Sequence, residues 1–386
     1  MRIIHVEDYF DPMAGYQINE LLNVNRNFKD DVFLITSDDM SPFHKKVNKK
    51  NDLLFEEKTG VKIIRLKSKL KLSSRIILKG LFEEINKLNP DLVYMHGIGD
   101  FKDLSLWRKK KNYKIVRDCH MSWIASKNKF RKIYYAIFSL FFASIINNSN
   151  KYERVFALGE EEYEYLKKIG IQENKIDYLY HGYNNNDMYY DYKERKQIRE
   201  YYNFKDNEII ISYIGKFDFA KRPDLIIDII NKLDKDLLSE NKLKLLFIGS
   251  KNNKYMEEFN IKLKKLNPRV EYLIDDAKPF NQLRKYYSAS DICIFPRETT
   301  LSSIHAQVCG CSVIMENHKS NKERVINNNN LYNIGNLDEA ANILTDIINK
   351  NQYNKENNKN IINSISFREY KSQYKKLHEL FAQNNW

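Results

Sequence analysis

Short apolar runs of strand length alternate with helix-patterned segments along almost the whole chain. Nothing else in the sequence constrains the fold as strongly. Parallel strands need a long crossover, and a helix is the usual one, so this rhythm predicts βα units and parallel sheets. The first half offers strands at RIIHV (2–6), VFLITS (32–37), VKIIRL (61–66), LVYMHG (92–97), KIVRDCH (114–120), RVFALG (154–159) and IDYLYHG (176–182). Several are almost continuously apolar, as strands covered on both faces require. A polar, charged stretch at 183–208 reads as an interdomain linker with one short helix. A second series follows: IIISYIGK (209–216), LKLLFIGS (243–250), VEYLID (270–275), DICIFP (291–296) and CSVIME (311–316). Helical patterns lie between them, as in RPDLIIDIINKL (222–233) and DEAANILTDIINK (338–350). The tail SFREYKSQYKKLHELFAQ reads as an amphipathic helix.

The 386 residues suffice for two domains of ordinary size. The expected fold class is therefore α/β, with two doubly wound, Rossmann-like domains in tandem, divided as 1–190 and 191–364. Ligands of such sheets bind beyond the carboxyl ends of the strands, so two facing sheets put the site in the cleft between them. Hydrophobic residues at 42% and aromatics at 13% provide a core and exclude a disordered chain. The net charge of +13 suits an anionic partner, although lysine is spread along the whole sequence. No nucleic-acid-binding module accompanies it, so nucleic acid is not the expected partner. The four cysteines form neither a Cys-x-x-Cys pair nor a zinc spacing. They read as reduced thiols of a cytoplasmic protein. The opening MRIIHVEDYF lacks the apolar core of a signal peptide, and no run is long enough to cross a bilayer.

Two stretches of the second half carry chemistry. In YIGKFDFAKRPDLII (213–227) a strand meets a glycine turn, and Lys216 and Lys221 flank that turn. A diphosphate suits such a pair, whereas solvated loop charges are the plain alternative. In RETTLSSIHAQVCGC (297–311) a helix starts near Ser302, with Thr300 or Ser302 as N-cap and Glu298 just ahead. His305 lies one turn inside it. This start reads either as a binder of phosphate or sugar hydroxyls or as a capped core helix.

At these residues the sequence resembles the retaining glycosyltransferases of family 4, which have the GT-B fold. The resemblance is carried by GKFDFAKRPDLI, LLFIGS, FNQLRKYYSASDICIFPRETTLSSIHAQVCGCSVI and NLYNIGNLDEAANIL. In the first domain PDLVYMHG, RDCH and RVFALGEEEYEYLKKIGIQENKI fit the family order. The resemblance implies that the tail helix, 365–386, packs back on the first domain. It implies that Lys216 and Lys221 grip the donor diphosphate. It implies that the loop Thr299, Thr300, Ser302 and Ser303 contacts donor sugar and phosphates. The family's acid pair would fall on Glu298 and on the position of His305, where histidine replaces an acid. Strict spacing would put the first acid at Arg297 instead of Glu298. His120, at the end of a strand, would contact a donor-sugar hydroxyl, with Asp118 placed to orient it or to cap the adjoining segment. The family's glycine-rich first loop retains only Gly15 in DPMAGYQ, and His96 reads either as lining the acceptor side or, the better reading, as core or loop packing.

The implied activity is metal-independent transfer of a sugar from a nucleotide-diphosphate sugar to a glycan or lipid-linked acceptor, in surface polysaccharide synthesis. No metal site and no cofactor are expected. A non-catalytic, glycosyltransferase-like subunit that binds a partner enzyme or glycan is the rival reading, motivated by the altered acid pair. The stretch KNKFRKIYYAIFSLFFASII (127–146) is apolar and preceded by basic residues. It reads either as a buried helix or as a peripheral contact with the inner face of a membrane.

Overall fold

The computed structural model describes residues 1–40, 46–72, 75–106, 112–120, 133, 136–297, 299–355 and 359–382. The chain forms two compact units. One contains Met1–His181 together with Gln373–Trp386, and the other contains Gly182–Ser372.

The strands of the first unit are β1 (Arg2–Val6), β2 (Asp31–Ser37), β3 (Lys62–Leu66), β4 (Ser68–Leu72), β5 (Arg75–Leu78), β6 (Leu92–Met95), β7 (Lys114–Cys119), β8 (Tyr152–Ala157) and β9 (Ile176–Tyr178). Seven build one sheet in the order β3-β2-β1-β6-β7-β8-β9, and every pairing in it is parallel. The antiparallel hairpin of β4 and β5 stands apart. All four residues of β6 are buried, as both-face coverage of a parallel sheet demands. The tail helix Tyr370–Ala382 enters this unit from Gln373 onward. Tyr374 is buried there, its ring 4.6 Å from that of Phe28 and its hydroxyl 3.1 Å from Asp30. Gln373 donates to the Tyr180 carbonyl at 3.0 Å.

The second unit holds β10 (Glu208–Ile214), β11 (Lys242–Gly249), β12 (Glu271–Asp276), β13 (Ile292–Phe295), β14 (Ser312–Glu316) and β15 (Leu331–Tyr332). They form a parallel sheet in the order β12-β11-β10-β13-β14-β15. The stretch read as a linker is part of this unit. Its helix Tyr192–Tyr201 is capped by the Asp191 side chain, which accepts from the Glu194 N–H. Arg195 and Arg199 of that helix reach Asp291 at 2.8 and 2.6 Å. Charge misled the sequence reading here, because the charges turn inward as pairs.

The helix expected over 222–233 is shorter, running Leu225–Asn231. Arg222 sits at φ 48°, where proline at 223 disfavours the helical conformation for the residue ahead of it. At the top of β11, Gly249 is irreplaceable on space alone. A Cβ there would lie 1.6 Å from the Gly215 carbonyl oxygen, which belongs to the turn after β10.

Candidate active site

In each sheet the strand order reverses once, between β1 and β6 and between β10 and β13. The loops leaving the carboxyl ends of such neighbours part in opposite directions and leave a crevice. Both crevices carry the chemistry of their unit.

In the second unit the crevice is a cavity of about 260 Å³ lined by Tyr213, Ile214, Gly215, Lys216, Lys221, Phe295, Arg297, Thr300 and Ser302. It brings together Lys216, Lys221, Thr300 and Ser302 of the residues singled out by sequence. The Lys221 ammonium donates to the Thr299 carbonyl at 2.8 Å and so ties the turn after β10 to the loop after β13. The Tyr213 hydroxyl donates to the Lys216 carbonyl at 2.6 Å and braces the same turn. The Thr299 hydroxyl meets the Asn321 side-chain oxygen at 2.8 Å.

The helix after this loop runs Ser302–Val308, with Leu301 rather than Thr300 or Ser302 at its N-cap. No side chain caps it in the ordinary way. Thr300 Oγ1 instead accepts from the Ser302 N–H at 3.3 Å, and the buried Ser303 hydroxyl turns back to the Thr300 carbonyl at 2.8 Å. The helix stops at Cys309, and Gly310 follows at φ 80°, so that Cys311 N–H closes onto the Ala306 carbonyl at 2.9 Å. His305 is buried and is not among the residues lining the cavity. Its ring meets Phe280 edge-on at 5.5 Å and is hydrogen-bonded to the Gly182 backbone. Burial lowers its pKa to about 4, so the ring is neutral. Glu298 lies outside the described residues.

Arg297 lines the cavity and is backed by a carboxylate that sequence reasoning passed over. Glu316, at the end of β14, is fully buried and 3.7 Å from Arg297 Nε. It also accepts from the Gly335 N–H at 3.1 Å and meets His318 Nε2 at 2.9 Å. The signal was present, as an acid closing the apolar strand CSVIME.

In the first unit three histidines and an aspartate form a hydrogen-bonded chain. His5 Nδ1 lies 2.9 Å from His96 Nε2. His96 Nδ1 lies 2.7 Å from Asp118 Oδ2, and His120 Nε2 lies 2.8 Å from Asp118 Oδ1. The Gly97 N–H donates to the same Oδ1 at 2.6 Å. His5, His96 and Asp118 are buried, while the His120 side chain is 35% exposed. Burial disfavours the His120 imidazolium, but the Asp118 carboxylate outweighs it and raises the pKa to about 9. Burial alone would raise the Asp118 pKa, yet His120 and His96 hold it well below the usual carboxylate range. Burial, reinforced by His96, lowers the pKa of His5.

Proton placement follows from these contacts. An ionised Asp118 can only accept, so His96 Nδ1 donates to it. With the His96 proton on Nδ1, Nε2 can accept from His5 Nδ1–H. His5 Nε2 is left as a bare, buried nitrogen, and among the described residues no partner reaches it. His96, Asp118 and His120 also bring one ligand atom each within 4.8 Å, an arrangement that could hold a metal. Both Asp118 oxygens, however, are already occupied by the two rings and by Gly97.

Beneath this chain runs a buried ionic network. Lys102 bridges Asp8 at 2.8 Å and Asp100 at 3.0 Å. Arg117 pairs with Asp100 at 2.6 Å and with Asp103, and Asp103 accepts from Tyr152. Such a network anchors the loops that follow the central strands β1 and β6. Gly15 lies in the loop between β1 and the helix Gln17–Asn23.

The apolar stretch 127–146 is described at Ile133 and from residue 136 onward. Phe138, Ala143 and Ile146 are buried, but Ile133, Ile137, Leu140 and Phe141 are exposed. Of the two readings of this stretch, a wholly buried helix does not account for these four side chains. Among the described residues no helix is long and apolar enough to cross a membrane.

Comparison with known proteins gives the same two-part division. Residues 3–186 match the family described as Glycosyltransferase Family 4, and residues 194–367 match that described as Glycosyl transferases group 1. The solved structure of Alr3699/HepE from Anabaena in complex with UDP is similar, with a TM-score of 0.73 at 14% identity over 99% of this chain and 100% of that one. A glycosyltransferase from Rickettsia africae gives a TM-score of 0.71 at 18% identity over 99% of this chain and 98% of that one. Sucrose-phosphate synthase from Thermosynechococcus elongatus gives 0.70 at 17% identity, with 99% and 98% covered. At such identities the likeness is one of fold. No curated protein matches the sequence significantly.

Proposed function

Since this chain belongs to the glycosyltransferases of family 4, which are built on the GT-B fold, we propose that it moves a sugar from a nucleoside-diphosphate donor to a hydroxyl of a glycan or lipid-linked acceptor, with retention at the anomeric carbon, in the assembly of a surface polysaccharide. The observation that carries this reading is the cavity at the strand-order reversal of the second sheet, with Lys216 and Lys221 on its wall. Structures similar in fold have been solved with UDP and with UDP-glucose, which supports a nucleotide-sugar donor.

As the bond from the anomeric carbon to the diphosphate breaks, the electron pair passes to the departing oxygen. Lys216 and Lys221 stabilise that growing charge in a partly enclosed site. The acceptor oxygen forms its new bond on the face the diphosphate leaves, and its proton passes to a departing phosphate oxygen. The two ammonium groups supply the countercharge, so the reaction needs no divalent ion. Thr299, Thr300, Ser302 and Ser303 shape the loop over the donor, and Gly15 lets backbone approach the ligand. Glu298, in the same loop, serves the donor sugar. His120, protonated at neutral pH, offers an N–H to a sugar hydroxyl. His305, neutral and buried, supports the donor loop from beneath.

Ile133, Ile137, Leu140 and Phe141 would dip into an anionic membrane surface, where a lipid-linked acceptor resides. The cationic sequence ahead of them would add electrostatic attraction.

The test is thermal stabilisation by UDP, GDP, ADP and CDP. A ligand at a hundred times its dissociation constant adds about 2.7 kcal/mol to the folded state. One of the four should raise the melting temperature of the wild-type chain and leave Lys221→Ala unmoved. If none does so, the diphosphate assignment falls, and the chain reverts to a non-catalytic subunit awaiting a protein or glycan partner.

A further inference from the structure

Three cationic side chains stand on the wall of the second unit's cavity. Lys216 and Lys221 reach it from the turn after β10, and Arg297 reaches it from the loop after β13. None of the described lining residues is a carboxylate. Lys216 and Lys221 together match the two charges of a diphosphate, and Arg297, which Glu316 faces from behind, is a further donor on the wall.

The setting of Arg297 argues against a solvated surface charge. Its side chain is 42% exposed, yet Nε is buried and makes no hydrogen bond. The nearest approach to Glu316 is through Nε, at 3.7 Å, which is an ion pair without a hydrogen bond. Glu316 is wholly buried and already accepts from the Gly335 N–H. It therefore orients the arginine from behind, beyond the reach of any ligand. The nearest approach to Glu316 is not through the two terminal nitrogens, and the side chain to which they belong lines the cavity. Among the described residues they make no hydrogen bond. A planar fork of N–H groups held this way fits a carboxylate through two parallel hydrogen bonds, and a neutral hydroxyl would leave half of it unpaired.

We propose that Arg297 reads a carboxylate on the transferred sugar, so that the donor is a nucleoside-diphosphate uronate rather than a neutral hexose. This rests on the cavity being the diphosphate site. Thr300 and Ser302 remain for the sugar hydroxyls, and the lysines for the diphosphate. The fork then serves selection, because a neutral sugar would leave part of its N–H groups unpaired.

The experiment measures affinities of the full chain by calorimetry for matched pairs: UDP-glucuronate and UDP-glucose, UDP-galacturonate and UDP-galactose, GDP-mannuronate and GDP-mannose. UDP and GDP alone complete the set. One uronate should bind about 10- to 100-fold more tightly than its neutral partner, the range for a charge-assisted contact. Arg297→Gln should abolish that preference and leave the free nucleoside diphosphate within about twofold, which also reports an intact fold. Arg297→Lys should keep part of the preference, because it retains the charge but loses the fork. Equal affinity for uronate and neutral sugar overturns the inference while leaving the diphosphate site standing. So does an Arg297→Gln variant that loses the free nucleoside diphosphate as strongly as the conjugate, since Arg297 would then be a phosphate ligand. If no nucleotide binds at all, the reading of the cavity falls and this inference falls with it.

Discussion

Asp118→Asn is the sharpest test of the histidine chain, because one atom pair changes and three rings must respond. Asp118 Oδ1 takes the Gly97 N–H at 2.6 Å, so the asparagine carbonyl must stay on that side. The new NH2 group then faces His96 Nδ1, which sits 2.7 Å from Oδ2 in the wild type. That nitrogen must turn from donor to acceptor. The His96 proton moves to Nε2 and donates to His5 Nδ1, and the His5 proton moves to its own Nε2. At the exposed end, His120 loses the carboxylate that holds its pKa at about 9. Glu7 and Glu162 remain as acids facing it, while burial works against them, so a value of about 7 or below is expected. At pH 8 the protonated fraction should fall from about 90% to about 10%, roughly tenfold.

The sign for stability is definite. A folded pKa above the ordinary 6.5 means that His120 protonation contributes fully below pH 6.5 and is lost as pH rises through about 9. The ring is a third exposed, so water screens the pair and the contribution is small. The assay is long-range proton–nitrogen NMR on chain labelled at its eight histidines, with His120→Gln to assign the mobile ring. Unchanged tautomers of His5 and His96 in the asparagine variant, or a His120 that still titrates near 9, would refute the chain of proton placements.

Two further outcomes rest on the same geometry. Turnover should persist in excess EDTA, because Lys216 and Lys221 carry the countercharge; complete loss that magnesium restores would contradict this. Leu140→Glu with Phe141→Glu should lower sedimentation with anionic phosphatidylglycerol vesicles at least tenfold, since each buried apolar side chain contributes about 1.5–3 kcal/mol. A wild-type chain that stays in the supernatant would remove the membrane reading.

The main strands were legible because burial on both faces writes itself as continuous apolar sequence, as in the fully buried β10. The β4 and β5 hairpin was not, because SKLKL alternates lysine with leucine as a half-buried strand does, a weaker mark than the continuous apolar runs of the parallel sheets. Of the site, Lys216, Lys221, Thr300 and Ser302 could be read because short loops after strands keep sequence neighbours together in space. His5 and His96 could not, since a histidine inside an apolar strand carries no mark of its partner 91 residues away. The network of Asp8, Asp100, Lys102, Asp103, Arg117 and Tyr152 draws on four separate stretches of chain, and only the folded sheet collects them.

The return of the tail to the first unit sets an order of assembly. Tyr374 and Gln373 complete a body whose other residues end at His181, with about 190 residues of a second body synthesised between them. At translation rates of 5–20 residues per second, the first body waits roughly 10–40 s for its last helix. During that interval the ring of Phe28 lacks the ring of Tyr374, Asp30 lacks the Tyr374 hydroxyl and the Tyr180 carbonyl lacks the Gln373 amide. A ribosome stalled inside the second body would leave this gap open, and the nascent chain would present a sticky, incomplete surface to chaperones. A chain cut before Gln373 would carry the same gap permanently.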